Sequence, residues 1–303
     1  MPSTMPSDII SLYSASAVTP EMQQFADEVG ALDNPGVTRL YLDVRREFRE
    51  TLKRCKRISR GSGGIVSTGN RMFWGSVLFT RIVVTAKSMD RMLPDPKPGE
   101  HWDFSAAASL ARNLFEACLV HHWLCAAGLD EDERAARFIL FHLHDHGSRM
   151  RLLPDEDFDP EVLEDLTRRF DSNPVLSTWD EKRRRVALRG ERTPFIQDDV
   201  LAEMGFDPVA FRMTYRFFSQ HTHTGPISFY RMLEHDRGTG VETRHEKRYM
   251  LIAMGFAIDF LGLAAATQLD IVPDAETRPP FLTDAQVRAN VEREQGRTSR
   301  RGR

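Results

Sequence analysis

From Tyr249 to Leu269 the chain is almost continuously apolar, interrupted by Asp259 and Gln268. A helix that is hydrophobic on every side belongs either in a membrane or at the centre of a folded core. The acidic and amide side chains, and the many small residues of this stretch, favour a central core helix over a membrane span. Such a helix needs others around it, and the rest of the sequence reads as helix almost throughout.

Apolar residues recur at helical spacing in one segment after another. Val37–Ile58 carries Leu40, Val44, Phe48 and Leu52 on one stripe, after a break expected at Asn34-Pro35-Gly36. Asn70–Leu93 is apolar through Phe73, Val77, Ile82 and Val83. Trp102–Ala127 and Asp130–Leu153 follow, the second stopped by Pro154. Pro160–Phe170 and Asp198–Met204 read as short helices, while residues 171–195 carry no decisive pattern. A further helix opens at Asp207-Pro208 and closes at Gly225-Pro226, and short and long helices follow over Ile227–Leu233 and Arg248–Leu269. Thr283–Glu294 reads as a last exposed helix. Neither β alternation nor a repeat of fixed period is present. The expected fold is therefore all-α, a single up-and-down helical bundle with extra N- and C-terminal helices. The predicted organisation is an N-terminal helical arm over 1–60, a Gly/Ser linker over 61–69, a core bundle over 70–270, and a C-terminal helix with a basic tail over 271–303.

Net charge −3 and a pI of 6.4 rule out a chain that is basic throughout, so an RNA partner requires a local basic patch. Three cysteines without a CxxC pair point to a reducing compartment, the cytoplasm. The N-terminus lacks the basic and apolar regions of a signal peptide. The sequence contains no GxxxxGK[ST], GxGxxG or GxSxG, so P-loop, dinucleotide-cofactor and α/β-hydrolase chemistry have no support.

Polar groups concentrate in FRMTYRFFSQHTHTGP, residues 211–226. At about 100° per residue, Arg212, Ser219 and His223 share a face, with Arg216 beside His223. Phe211, Tyr215 and Phe218 form the opposite face. Arg112 and Glu116, four apart in SLARNLFEACLVHHWL, place a charged pair on an otherwise apolar stripe. A charged pair there incurs a desolvation cost unless polar groups from another helix meet it, and the Arg216/Ser219/His223 face is the predicted partner.

Arg216 stands five residues before His221 and seven before His223. This spacing resembles the R-x(4–6)-H motif of HEPN-type helical bundles, many of which are ribonucleases. The resemblance implies a histidine acting as acid/base or aligning a 2′-hydroxyl, an arginine stabilising phosphate, metal independence, and a homodimer. The seven-residue step returns to the same helix face within about 20°, which favours His223 over His221. R-x-L-F-E at Arg112, Leu114, Phe115 and Glu116, followed by Tyr215, Ser219 and His223, also resembles an uncharacterised bacterial family of helical proteins.

His144-Asp145 followed by Gly147 looks like the HD motif of metal-dependent phosphohydrolases, which are all-helical too. That resemblance implies a divalent metal on His144 and Asp145, with His121 or His122 as an earlier ligand and Asp259 as a late one. His146 and Ser148 depart from the usual pattern. Three readings follow. The first is a HEPN-like metal-independent endoribonuclease of defence or toxin type, using Arg216, His221 or His223, Ser219, Arg112 and Glu116 without a cofactor. The second is an HD-like metal phosphohydrolase. The third is a non-catalytic helical interaction module whose polar cluster is structural.

Overall fold

A computed structural model describes residues 28–63, 69–153, 159–230 and 240–282, with Gln286 and Ala289. The described residues form an all-α helical bundle with no strand. Four long helices make its centre: α1 (Asn34–Ser62), α2 (Asn70–Met92), α3 (Phe104–Cys125) and α10 (Arg244–Ile271). Helices α4 (Glu131–Leu152), α5 (Pro160–Ser172), α6 (Glu181–Leu188) and α7 (Gln197–Glu203) make an excursion before α8 (Pro208–Thr222) returns. Short α9 (Pro226–Tyr230) precedes α10.

Side-chain pairs give the helix directions. Arg49 reaches Asp90 and Ser59 reaches Thr80, so α1 and α2 run antiparallel. Arg71 reaches the Cys125 carbonyl while Phe79 meets His121, so α2 and α3 are antiparallel too. Ser105 meets His221 and Phe115 meets Phe211, which sets α8 against α3. Phe217 meets Tyr249 and Phe211 meets Phe260, which sets α10 against α8. Direction therefore alternates through α1, α2, α3, α8 and α10, the up-and-down order. Helix α10 runs parallel to both helices it packs between. Lys247 lies by Asn34 and Gln268 by Ser62 on α1, while Tyr249 lies by Phe104 and Gln268 by His121 on α3.

Helix α10 is buried without interruption from Ala253 to Leu261 and again at Ala264, Ala265 and Gln268, with Ile252 and Ala266 exposed, which accounts for most of its apolar run. Its aromatic seam is Phe256 and Phe260, stacked among Phe115, Phe206 and Phe211. Its first turn carries a buried cation. Lys247 Nζ donates to Asn34 Oδ1 at 2.8 Å and Thr38 Oγ1 at 2.8 Å, and pairs with Glu242. Burial of an ammonium is tolerable only with this density of acceptors.

Three sequence expectations change. The expected break is present but falls at Leu32-Asp33, after the helical residues 28–31, and Asn34-Pro35-Gly36 forms the first turn of α1: Asp33 accepts from Gly36 N–H at 2.7 Å, and proline is well placed in a first turn. Helix α1 is not an arm, because Tyr41, Phe48, Leu52, Cys55 and Ile58 are core residues against α2 and α10. Gly61 and Ser62 are helical and buried rather than linker. A Cβ on Gly61 would stand 1.8 Å from the Ala275 carbonyl oxygen, so the missing side chain is what lets the two backbones touch. Residues 64–68 and most of the expected 283–294 helix lie outside the described residues. The unassigned region 171–195 holds a 3-10 turn at Leu176–Thr178 and α6, whose Asp180 cap accepts from Arg183 N–H.

Candidate functional site: a four-residue polar cluster between two helices

Helix α8 begins as its sequence dictates, with Asp207 accepting from Val209 N–H and Pro208 in the first turn. It ends in a Schellman arrangement. Gly225 N–H donates to the Gln220 carbonyl at 2.7 Å and Thr224 N–H to the His221 carbonyl at 3.4 Å. The left-handed position of that motif, usually glycine, is occupied by Thr224 at φ 54°, the one non-glycine residue with positive φ among the described residues. A β-branched residue there is strained by about 1–2 kcal/mol. The strain lies immediately after His223, where such outliers point to a functional constraint.

The end of α8 meets the middle of α3. Arg112 Nη1 donates to His223 Nε2 at 3.1 Å, and Arg112 Nη2 donates to the Tyr215 hydroxyl at 2.9 Å. Arg112 Nη2 also pairs with Glu116 Oε1 at 3.0 Å, and the Tyr215 hydroxyl donates to that oxygen at 2.7 Å. A guanidinium has donors only. His223 Nε2 must therefore accept, which makes the imidazole neutral with its proton on Nδ1. Burial lowers the Arg112 pKa, but Tyr215 and Glu116 outweigh that, and the net direction is upward. Burial, and the bond to Glu116, raise the Tyr215 hydroxyl. The cluster opens to solvent on one side: Arg112 is 19% exposed, Glu116 45%, and His223 is exposed.

The six sequence-predicted residues thus separate. Arg112, Glu116 and His223 converge, as the pairing of the two segments requires. Tyr215, read in the sequence as a residue of the aromatic back face, is the hydroxyl that joins them. Its spacing, four residues before Ser219 and eight before His223, was the available signal, already present in the motif that resembles the uncharacterised helical family. Ser219 contributes its backbone carbonyl to the helix end. His221 is buried, its Nδ1 at 3.2 Å from Ser105 Oγ and its ring edge-on to Phe104 at 4.7 Å. Arg216 is exposed and forms no hydrogen bond or ion pair among the described residues, so Arg112, not Arg216, is the guanidinium at His223.

The HD-type ligand set does not converge. His144 Nδ1 faces the Gly190 carbonyl at 3.1 Å, and Asp145 pairs with Arg149 at 2.9 Å. His121 sits in the core against Gln268, with burial driving its pKa down to about 4. Asp259 is buried on α10. No three potential ligands come together among the described residues. Gly147 has a packing role instead: a Cβ there would stand 2.4 Å from the Arg189 carbonyl oxygen.

Residues 72–240, more than half of the chain, match a family of unknown function, DUF5677. The chain belongs to the DUF5677 family. No curated protein and no solved structure matches it. The DUF5677 region contains Arg112, Glu116, Tyr215 and His223 together with α2 through α9, while the core helices α1 and α10 lie outside it.

Proposed function

We propose that the chain is a HEPN-like, metal-independent endoribonuclease of the cytoplasm, acting as a homodimer, with His223 and Arg112 as the reacting pair. The observation that carries this reading is the 3.1 Å contact from Arg112 to a neutral, exposed His223 across two helices. A neutral imidazole beside a guanidinium is suited to phosphodiester chemistry. Substrate entry turns the Arg112 N–H from the imidazole to a phosphate oxygen and frees Nε2. His223 Nε2 then takes the proton of the 2′-hydroxyl as that oxygen attacks phosphorus. The bond from phosphorus to the 5′-oxygen breaks, and the proton leaves on that oxygen. The products are a 2′,3′-cyclic phosphate and a 5′-hydroxyl end. Arg112 carries the charge that builds on the phosphoryl oxygens, and Tyr215 and Glu116 hold its guanidinium in place.

The exposure of Glu116 also supports an open site over a structural network, since a network that existed for stability would be closed to water. The test is cleavage of single-stranded RNA by purified protein in EDTA. His223→Ala abolishes cleavage and leaves the helical circular dichroism unchanged if the reading holds. Cleavage that survives the substitution, or wild-type protein that cleaves nothing, refutes it.

A further inference from the structure

A second site lies elsewhere in the fold. A cleft of about 550 Å3 opens between α4, α6, α7 and the 189–196 segment, within the size range of small-molecule sites. Its rings are Trp123, Phe195 and Trp179, with Trp123 and Phe195 at 5.1 Å between centroids. Its floor includes Arg137, whose charge is already matched by Glu133 at 2.8 Å and Glu203 at 2.9 Å.

The remaining cations are unspent. Lys182, Arg183 and Arg192 border the cleft, are exposed, and make no side-chain hydrogen bond or ion pair among the described residues. The Arg183 guanidinium carbon lies over the Trp179 ring, 3.5 Å from its centroid. Stacking occupies the face of a guanidinium and leaves its in-plane N–H donors free, a fork matched to phosphate or carboxylate. Of the acids at the rim, Asp180 is engaged as the α6 cap and Asp199 stands in the first turn of α7. Three cations unpaired among the described residues stand at the cleft against these two acids and the second carboxylate on Arg137.

The far wall is fixed rather than loose. Gly190, at φ 57°, is packed so closely on α4 that a Cβ would stand 2.2 Å from the Leu143 carbonyl oxygen. Its own carbonyl faces His144 Nδ1 and accepts from Arg151 Nη2 at 2.8 Å. The segment His144 to Gly147, with no role at the α3/α8 cluster, thus anchors the wall that carries Arg192 and Phe195. Trp123 and Glu116 are seven residues apart on one face of α3, so the cleft lies about 10 Å along that helix from the cluster.

We propose that this cleft binds a nucleoside monophosphate, its base among the three rings and its phosphate on Lys182, Arg183 and Arg192. The inference does not rest on the ribonuclease reading. Isothermal titration calorimetry with 5′-AMP, adenosine and inorganic phosphate tests it on the full chain. The expected result is saturable AMP binding, with adenosine weaker by about tenfold or more through the lost charge-assisted contacts, and phosphate weaker by about tenfold or more through the lost base stacking. Lys182→Ala combined with Arg192→Ala, both at exposed positions, weakens AMP by about tenfold or more and leaves the fold intact. His223→Ala leaves AMP binding unchanged, which separates the cleft from the cluster. Absence of saturable binding with any of the four common 5′-monophosphates overturns the proposal. So does adenosine or phosphate binding as tightly as AMP, or a double variant that binds like wild type.

Discussion

Replacing Asp259 by Asn tests how the centre of the bundle tolerates an acid. Asp259 is 3% exposed and its Oδ2 has no hydrogen-bond partner among the described residues. Burial, followed by the nearby Glu47 carboxyl, moves its pKa from 3.8 up to about 8. Below pH 4 both the folded and unfolded chains hold the proton, and the group has no effect. Between pH 4 and 8 the unfolded chain ionises while the folded one does not, so stability drains away by about 1.4 kcal/mol per pH unit. The gap of about four pH units corresponds to about 6 kcal/mol at pH 8 and above. Asn cannot ionise, and its new amide donors cost about 1–3 kcal/mol if unpaired. Asp259→Asn is therefore expected to be more stable than wild type by about 3–5 kcal/mol at pH 8, and no more stable at pH 4. Urea unfolding followed by circular dichroism at pH 4, 6, 7 and 8 measures the difference. A difference that stays constant across that range refutes the reasoning, because only a proton uptake linked to folding produces the slope.

Four further outcomes follow from the same structure. Lys247→Met strands Glu242 and the acceptors on α1, and thermal unfolding is expected to show a loss of about 3–5 kcal/mol. Gly61→Ala pushes a methyl into the Ala275 backbone and costs about 1–3 kcal/mol by the same measurement. Thr224→Gly relieves the left-handed strain and gains about 0.5–1 kcal/mol, while RNA cleavage falls if that strain serves to fix His223. Glu116→Gln changes stability by less than about 1 kcal/mol, since the carboxylate is half-exposed, yet lowers RNA cleavage by loosening Arg112.

The long helices were legible because each carries its own period and stop signals. Pro154 and the Asp207-Pro208 start marked real ends, and the apolar run of α10 declared its central place. Asn34-Pro35-Gly36 marked a real break but displaced it by about two residues, because proline and glycine serve a first helical turn as well as a break, and the Asp33 cap sets where the new helix starts. Gly61 and Ser62 misled for a different reason: a glycine needed for close packing against Ala275 has the same letter as one in a linker. At the candidate site, the pairing of Arg112 and Glu116 with the end of α8 could be anticipated from the cost of a charged pair on an apolar stripe. The partner of His223 could not, because Arg112 and Arg216 offer the same chemistry and only the packing of α3 on α8 chooses. The cleft beside α6 left fragments in the sequence, the basic run from Lys182 and the His144-Asp145 segment, but nothing in their spacing placed them on facing walls.

The helix that α1 and α3 share as a neighbour is the last long element among the described residues. Until residues 244–271 leave the ribosome, Phe48, Leu52, Phe115 and Cys118 have no α10 to pack against. A nascent or prematurely terminated chain therefore presents an unclosed oily groove between its first and third long helices. Chaperone dependence and proteolytic clearance of such fragments hinge on whether synthesis has passed residue 271.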